Sequence, residues 1–177
     1  MQPHGGRGAD VRQHIGARAC LGSRCKRGQQ NQALGRSRGG FGTKIHIKCD
    51  LEGWPLDFHL TGNEASDSRQ FETLPEIGPD VTPRGVITDK GYDAKANRHA
   101  ARRRGICPVI PHRENARNRP SFFPKTLYRL RARVEQFVGK LKRFKRVAMR
   151  CEKTSQNYAA FVALACIFIS VKSVHTA

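Results

Sequence analysis

Acidic residues are scarce in this chain, and they are almost missing from its first quarter. The 177 residues include 14 Asp and Glu against 33 Lys and Arg, a formal net charge of +19. Only Asp10 precedes Asp50, so any acid-based site must draw its carboxylates mainly from later in the chain. The charge predicts attraction to a polyanion, and nucleic acid is the usual one. An anionic membrane surface or a ribosomal setting would suit the same charge.

Long apolar runs and regular cysteine spacings are also absent. The longest apolar run covers residues 159–171, which is 13 residues, whereas a membrane-spanning helix needs about 18. We therefore expect a buried core helix, no membrane partner and, because no signal-peptide pattern starts the chain, a cytoplasmic location. The six cysteines are irregularly spaced, which predicts reduced thiols. Cys20 and Cys25 could form half of a zinc site, but no second pair with partner spacing follows.

The composition changes near residue 40. Residues 1–40 are rich in Gly and Arg and poor in large apolar groups, which predicts a basic, poorly ordered segment. Residues 41–177 form the predicted folded domain. Within it, KIHIKC alternates apolar and polar residues, DLEG is typical of a turn, and a second alternating run around Phe58 follows. This pattern predicts an antiparallel hairpin with one face toward solvent.

The rest of the domain reads as a mixture of helices and short strands, in β-α-β order. Asp67 with Gln70 fits a capping box, and Asp93 is a possible cap for a helix that ends at Gly105. The predicted elements are a helix from Asp67 to Ile77, a strand at residues 85–88, a helix at 94–104, a strand at 106–111, a long amphipathic helix from Pro124 to about Lys145, and a last helix at 155–173.

Asp89 directly follows the predicted strand GVIT. Ligands of open α/β sheets bind outside the carboxyl ends of strands, and a carboxylate there suits a hard divalent cation. The alternative is a turn aspartate that caps the following helix.

One face of the long helix carries four different functional groups. Tyr128, Arg131, Glu135 and Lys142 are separated by three, four and seven residues, so they lie within about 60° of one another. Gly139 falls on the same face, and we hypothesise that it leaves room for DNA or metal. The alternative is a solvated helix face that simply carries charges.

These segments resemble a known family. YRLRARVEQFVGKLK matches Y-x-x-R-x-x-x-E-x-x-x-x-x-x-K, and it resembles the signature around the third acid of the YREK-type DDE transposases of bacterial insertion sequences. TDKGYDAKANR resembles the segment around their second acid, and residues 33–74 resemble the preceding hairpin and helix. The resemblance runs from about Gln32 to the end of the sequence, nearly four-fifths of it.

The resemblance implies a ribonuclease-H-like fold, an α/β mixed sheet flanked by helices. It implies DNA transposition, in which two Mg²⁺ or Mn²⁺ ions support strand cleavage and transfer at insertion-sequence ends. The partners would be element-end and target DNA, with a possible homo-oligomer on DNA, in the bacterial nucleoid. The implied metal ligands and catalytic acids are Asp89 and Glu135; the implied supporting residues are Tyr128, Arg131 and Lys142; the candidate DNA contacts are Lys90, Arg143, Lys145 and Arg146.

The sequence departs from the family near its start. The first acid of the family precedes a V-R-A-H-like stretch, and the position four residues before Val11 is Arg7. No apolar strand is visible there, so we expect the first strand to be missing and the frame to be truncated or shifted. Asp10 is the one amino-terminal candidate for a substitute. Loss of one shared ligand should weaken metal binding and slow catalysis severely.

Two other classes of function remain open. The chain could be an inactive basic remnant that binds DNA or RNA without chemistry, and metal dependence would separate this from the enzyme. A ribosome-associated basic protein would explain the charge but not the spacing of Tyr128, Arg131, Glu135 and Lys142. Trp54 and Phe58 could stack on bases, although packing within the hairpin is the commoner role.

Overall fold

The computed structural model describes residues 11–15, 32–37, 40–114, 116 and 121–174. Arg7, Asp10, Cys20 and Cys25 lie outside the described residues, so the expectations that concern them have no structural counterpart.

A long antiparallel hairpin forms the largest part of the sheet. β3 (Gly40–Cys49) pairs with β4 (Pro55–Gly62), with Ile47 opposite Phe58. The turn is closed by Asp50, whose carboxylate accepts a hydrogen bond from the Trp54 backbone N–H at 2.8 Å. The predicted hairpin is therefore confirmed. Its expected solvent-facing side is not, because His46 and Lys48 are as deeply buried as the apolar residues that alternate with them.

Four further strands complete a mixed sheet in the described part of the chain. β1 (Val11–Ile15) pairs antiparallel with β3 and parallel with β5 (Gly85–Ile87). β2 (Gly35–Ser37) is antiparallel to β3, and β6 (Cys107–Val109) is parallel to β5. The order is β2-β3-β1-β5-β6, with β4 on β3. With helices packed against it, this is the ribonuclease-H-like architecture that the resemblance implied.

The expectation that the first strand is missing is wrong. β1 occupies the interior position between β3 and β5, where its backbone hydrogen-bonds on both sides. Its sequence, VRQHI, has too few apolar residues for a strand to be recognised from periodicity, and the two neighbouring strands supply the pairing that fixes it. Both β1 and β2 precede residue 41 and pair with β3, and the proposed boundary after residue 40 lies at the start of β3 itself.

Most helices are shorter than the sequence predicted, whereas the last one matches its predicted range to within one residue. Their bounds are α1 Thr73–Glu76, α2 Lys95–Arg103, α3 Lys125–Arg129, α4 Arg131–Leu141, α5 Lys145–Ala148 and α6 Ser155–Val174. The single helix expected from Pro124 to Lys145 is thus three segments. A turn at Leu130, whose ψ is −17°, separates α3 from α4, and a second turn precedes α5.

Both predicted helix caps are wrong, because each aspartate has a better partner elsewhere. Asp67 starts a 3-10 turn rather than an α-helix, and its carboxylate pairs with Lys44 Nζ at 3.0 Å. Asp93 accepts from Arg98 Nη2 at 2.8 Å and from the Arg113 backbone N–H at 2.7 Å. The predicted stop of α2 at Gly105 is confirmed by its φ of +72°.

Two hydrophobic clusters lie on opposite sides of the sheet. The first joins the apolar face of β3 to α4 and α6; its members are Ile45, Ile47, Cys49, Val134, Phe137, Val138, Leu141, Val147, Tyr158, Val162, Ala165, Cys166 and Ile169. The second joins β5 to α2 and the segment before it; its members are Phe71, Leu74, Val86, Tyr92, Ala101, Ile106 and Ile110. Phe58 packs against the first cluster, which favours a packing role for it rather than base stacking.

α6 contributes one face to the first cluster and leaves the other open. Leu164 and Ile167 are each 60% exposed. Residues 155–173 are long and apolar enough to cross a membrane by length and composition alone, a criterion that core helices also meet. The predicted role as a core helix agrees with the buried positions of Tyr158, Val162 and Ile169.

Candidate active site

Asp89 lies at the carboxyl end of β5, one residue beyond the buried Thr88. Its Oδ1 accepts a hydrogen bond from the Gly91 backbone N–H at 2.8 Å and thereby caps the 3-10 turn Lys90–Tyr92. The capping role considered from the sequence is therefore real, but it occupies only one carboxylate oxygen. Oδ2 accepts no hydrogen bond from the described part of the chain, so it can bind a ligand without breaking the cap.

Gly91 controls the space beside that carboxylate. A Cβ at this position would lie 2.9 Å from Asp89 Oδ1 and 3.6 Å from Asp67 Oδ2. The first distance is shorter than real Cβ contacts, so any side chain here must displace the Asp89 carboxylate. The glycine of the DKGYD segment thus permits Asp89 to fold back onto its own turn.

Tyr128, Arg131 and Glu135 form a contiguous group on α3 and α4. Arg131 Nη2 lies 2.8 Å from Glu135 Oε1, and its Cζ lies 5.4 Å from the centroid of the Tyr128 ring. The break at Leu130 does not separate them, because the backbone there still turns in the helical sense. The predicted shared face is therefore present for these three residues.

The Tyr128 hydroxyl connects this group with Asp89. Burial raises the pKa of Tyr128, Arg131 lowers it, and both Asp89 and Glu135 raise it further. Both carboxylates are therefore within range of an electrostatic interaction with the Tyr128 phenol. Tyr128, which contacts Arg131 of the helical group, thus lies within electrostatic range of Asp89, although Asp89 comes about 40 residues earlier in the chain.

Lys142 and Gly139 lie farther along the same helix. Lys142 follows the last residue of α4, is exposed, and forms no ion pair with the residues that the structure describes. Seven residues of helix place it about 10 Å along the axis from Glu135. A Cβ on Gly139 would meet nothing within 4 Å, so packing within the chain does not require glycine there.

The candidate DNA contacts divide into two exposed areas. Lys90 is near Asp89; its side chain is 72% exposed and lies 4.0 Å from Glu114. The other three follow α4: Arg143 and Lys145 are exposed, and Arg146 lies over the Phe161 ring at 4.6 Å and 3.7 Å from Glu152. Of these four residues, Lys90 and Arg146 form ion pairs, with Glu114 and Glu152, and both pairs are long and involve exposed basic side chains.

A buried polar network under Asp89 was missed by the sequence analysis. His46 on β3 contacts the Tyr92 hydroxyl through Nδ1 at 3.2 Å and Thr61 Oγ1 through Nε2 at 2.9 Å. Burial lowers the pKa of His46 to about 4 and, with Asp67 and Asp89, raises that of Tyr92. The alternation of apolar and polar residues in β3 predicted that His46 faces solvent. The predicted helices are numerous enough to cover both faces of the sheet, and this signal could have corrected the prediction.

Lys48 extends the same polar face. Its ammonium donates to the Ile77 carbonyl at 2.7 Å, and burial lowers its pKa. Together with the Lys44–Asp67 pair, this contact fastens the segment between β4 and β5 onto the sheet. The turn that carries Asp89 is therefore supported by hydrogen bonds and ion pairs rather than by apolar packing alone.

The donor atoms available to a metal are oxygens. Hard cations such as Mg²⁺ are commonly held by one or two carboxylates together with water and substrate phosphate, and Asp89 and Glu135 fit that description. No group of three or more His, Cys, Asp or Glu side chains that could hold a metal occurs among the described residues. Arg131 competes for Glu135, so a cation there would share or displace the ion pair.

A ribonuclease-H-like sheet with one carboxylate after a strand and a second on a flanking helix places the chain in a fold class that includes nucleic-acid strand-transfer enzymes. The chain belongs to the transposase DDE domain family, whose model matches residues 17–169.

The relatives agree with this assignment. The chain is 34% identical over 137 residues to a candidate transposase for insertion sequence element IS402 from Burkholderia cepacia, covering 72% of this chain and 62% of the relative. It is 33% identical over 134 residues to a candidate transposase for element IS6501 from Brucella ovis, covering 72% and 96%. Among solved structures, it is similar to the catalytic core domain of BIV integrase, with 12% identity, coverage of 96% and 97%, and a TM-score of 0.46.

Proposed function

We propose that this chain is the catalytic part of an insertion-sequence transposase that cleaves and joins DNA strands with divalent metal ions, Mg²⁺ or Mn²⁺. The observation that carries the proposal is a strand-end carboxylate, Asp89, together with the contiguous Tyr128–Arg131–Glu135 group, in which Arg131 Nη2 lies 2.8 Å from Glu135 Oε1. A solvated helix face would not require a strand-end carboxylate beside it. The DNA would be element ends and target, in the bacterial nucleoid, with a homo-oligomer assembled on it.

Each residue has a distinct task in this proposal. Asp89 and Glu135 would hold the metal, which would supply charge stabilisation for the attacking and leaving oxygens. Arg131 orients the Glu135 carboxylate, and its guanidinium would bind a DNA phosphate bidentately. The Tyr128 ring positions the Arg131 guanidinium through a cation–π contact. Lys142, farther along the helix, neutralises phosphate.

The candidate DNA contacts supply affinity without sequence preference. Arg143, Lys145 and Arg146 extend the basic surface beyond α4, and Lys90 stands beside Asp89. Contacts of this kind bind phosphates and release counterions, so binding should weaken steeply with salt.

We further propose that the chemistry of this chain is impaired because two carboxylates are available where the family uses three. We propose the position of a third carboxylate from the register of β1, and it differs from Arg7, the position to which the sequence resemblance pointed. Arg12 pairs with Ile87, the last residue of β5, so the register continued by two residues puts position 14 opposite Asp89, just beyond the end of β5. The residue at that level is His14, which is not a carboxylate.

The test restores the missing acid. Full-length His14→Asp should gain Mn²⁺-dependent nicking of plasmid or element-end DNA, and Asp89→Asn in the same background should abolish it. Gln13→Asp is the matched control, because it puts the same acid one register position away, in the pair with Lys48. Strong Asp89-dependent cleavage by the unmodified chain would contradict the impairment. Equal gain in the His14 and Gln13 variants would contradict the assigned position.

The second candidate is a DNA-binding protein without catalysis, favoured by the net charge of +19. Under this alternative, Asp89→Asn leaves salt-sensitive DNA binding intact and no variant gains metal-dependent cleavage. Parallel gel-shift and nicking assays on the variants above therefore separate the two functions.

A further inference from the structure

The turn between β3 and β4 lies directly against α4. Gly53 in this turn has a φ of +89°, and a Cβ at this position would lie 2.9 Å from Arg133 Cβ and 3.3 Å from the Arg133 carbonyl oxygen. Arg133 in turn donates a hydrogen bond from Nη1 to the Leu51 carbonyl at 3.0 Å. Glycine is therefore required at position 53 for two reasons, the backbone conformation and the approach of the helix.

This turn is a rigid extension of the sheet. The Asp50 carboxylate accepts hydrogen bonds from the backbone N–H groups of Glu52 and Trp54 at 2.9 and 2.8 Å, and the Asp50 N–H donates to the Trp54 carbonyl at 3.0 Å. β3, which enters the turn, is joined through β1 to β5, the strand that ends just before Asp89. The turn is consequently fixed to the same sheet as Asp89.

Arg133 lies two residues before Glu135 in α4. Two residues of α-helix correspond to about 3 Å along the axis and about 200° around it, so Glu135 lies nearly opposite the side that contacts the turn. Val134 and Phe137 pack on β3 through apolar contacts, which are non-directional and do not by themselves set the position of a helix along its axis. The contact and the hydrogen bond at Arg133 are directional, so they can set it.

We infer that Gly53 and Arg133 are positioning residues, which hold α4 against the hairpin turn and thereby fix Glu135 relative to Asp89. A displacement of about 1 Å is enough to impair a site whose groups must act together. This inference rests on the proposed function, in which the two carboxylates share a metal, and it adds the contact that sets their separation.

Two glycines test the contact. Gly40 also has a positive φ, +99°, but a Cβ there would meet nothing within 4 Å. Gly53→Ala and Gly40→Ala thus impose the same kind of backbone strain, and only Gly53→Ala pushes against Arg133. Gly53→Ala should weaken Mn²⁺ binding by about tenfold in titration calorimetry and shift the amide resonances of residues 131–135. Gly40→Ala should change neither.

Two arginines test the hydrogen bond through the sign of the effect. Removal of a cation near a metal site should favour Mn²⁺ binding if charge alone matters. Arg133→Ala should instead weaken binding by about threefold, because it removes the hydrogen bond to the Leu51 carbonyl. Arg129→Ala, which removes an exposed cation of α3, is the matched control and should leave binding equal or tighter.

The outcomes separate this inference from the proposed function. If Gly53→Ala binds Mn²⁺ as tightly as the parent, or if both glycine variants lose affinity equally, the positioning role is wrong while the metal site stands. If Gly53→Ala does not fold, the arginine pair decides, and equally tightened binding in Arg133→Ala and Arg129→Ala overturns the inference. If the parent binds no Mn²⁺, the proposed metal site fails. The amide resonances then decide alone: shifts in Gly53→Ala but not in Gly40→Ala support the contact, and unchanged resonances refute it.

Discussion

The two faces of β3 hold the two candidate metal ligands by different physical means. On one face, Ile45 and Ile47 pack against Val134 and Phe137 of α4, the helix that carries Glu135. On the other face, His46 and Lys48 are polar and buried: His46 contacts Tyr92, and Lys48 donates to a backbone carbonyl. Glu135 is thus positioned by apolar packing, whereas Asp89 is positioned by a hydrogen-bonded network.

This difference has consequences for how each ligand responds to change. The stabilisation from apolar packing does not depend on pH, and it is reduced by a large-to-small substitution that leaves a cavity. A buried polar network is sensitive to protonation and to the loss of any partner, since an unsatisfied buried group costs free energy. Perturbations of the two faces should therefore affect the same metal site through separable routes.

The largest expected effect is on the apolar face. Phe137 is 4% exposed within the first cluster, so Phe137→Ala should lower the free energy of unfolding by about 3–5 kcal/mol. Gln136→Ala, on the exposed side of the same helix, should change it by less than about 0.5 kcal/mol. Urea denaturation followed by circular dichroism measures both; similar losses would show that α4 does not pack as described.

The next effect is on the polar face and depends on pH. Burial depresses the pKa of His46 to about 4 in the folded chain from 6.5, while Asp67 raises it and His59 and Lys44 lower it. Between these values the unfolded chain binds more protons, so stability is fully present above pH 6.5 and falls as the pH approaches 4. The loss attributable to His46 approaches about 3 kcal/mol.

Removal of the imidazole should remove this dependence. His46→Gln should be less stable than the parent at pH 7, because its contacts with Tyr92 and Thr61 change, but the difference should shrink as the pH falls from 6.5 to 4.5. His99→Gln, at an exposed position of α2, serves as the control. A stability difference that stays constant with pH for His46→Gln would refute a neutral buried His46.

The smallest effect compares two glycines. Gly91→Ala places a Cβ 2.9 Å from Asp89 Oδ1, so it should weaken Mn²⁺ binding by about tenfold, as loss of ligand support commonly does. Gly139→Ala meets nothing within 4 Å and should leave Mn²⁺ binding unchanged while stabilising the helix by about 1 kcal/mol. Titration calorimetry and urea denaturation measure the pair. Lower DNA affinity in Gly139→Ala would support the hypothesis that this glycine leaves room for DNA.

The sequence predicted the hairpin, both short parallel strands and the grouping of Tyr128, Arg131 and Glu135, because these depend on local periodicity and spacing. It did not predict β1, whose position depends on pairing with β3 and β5 rather than on its own residues. It assigned Asp67 and Asp93 to helix caps because a local pattern cannot reveal that Lys44 and Arg98 compete for them. The sequence did not predict the burial of His46, because an alternating pattern defines the two faces of a strand but does not show which elements cover each face.

The most direct test of the account is Mn²⁺ titration calorimetry on the unmodified chain, Asp89→Asn and Glu135→Gln. Asn at position 89 keeps an oxygen that can accept from the Gly91 N–H, so the turn should persist while the charge is lost. The account predicts measurable binding to the unmodified chain that is lost in both variants. Binding that is unchanged in either variant would contradict the central claim that Asp89 and Glu135 form one metal site.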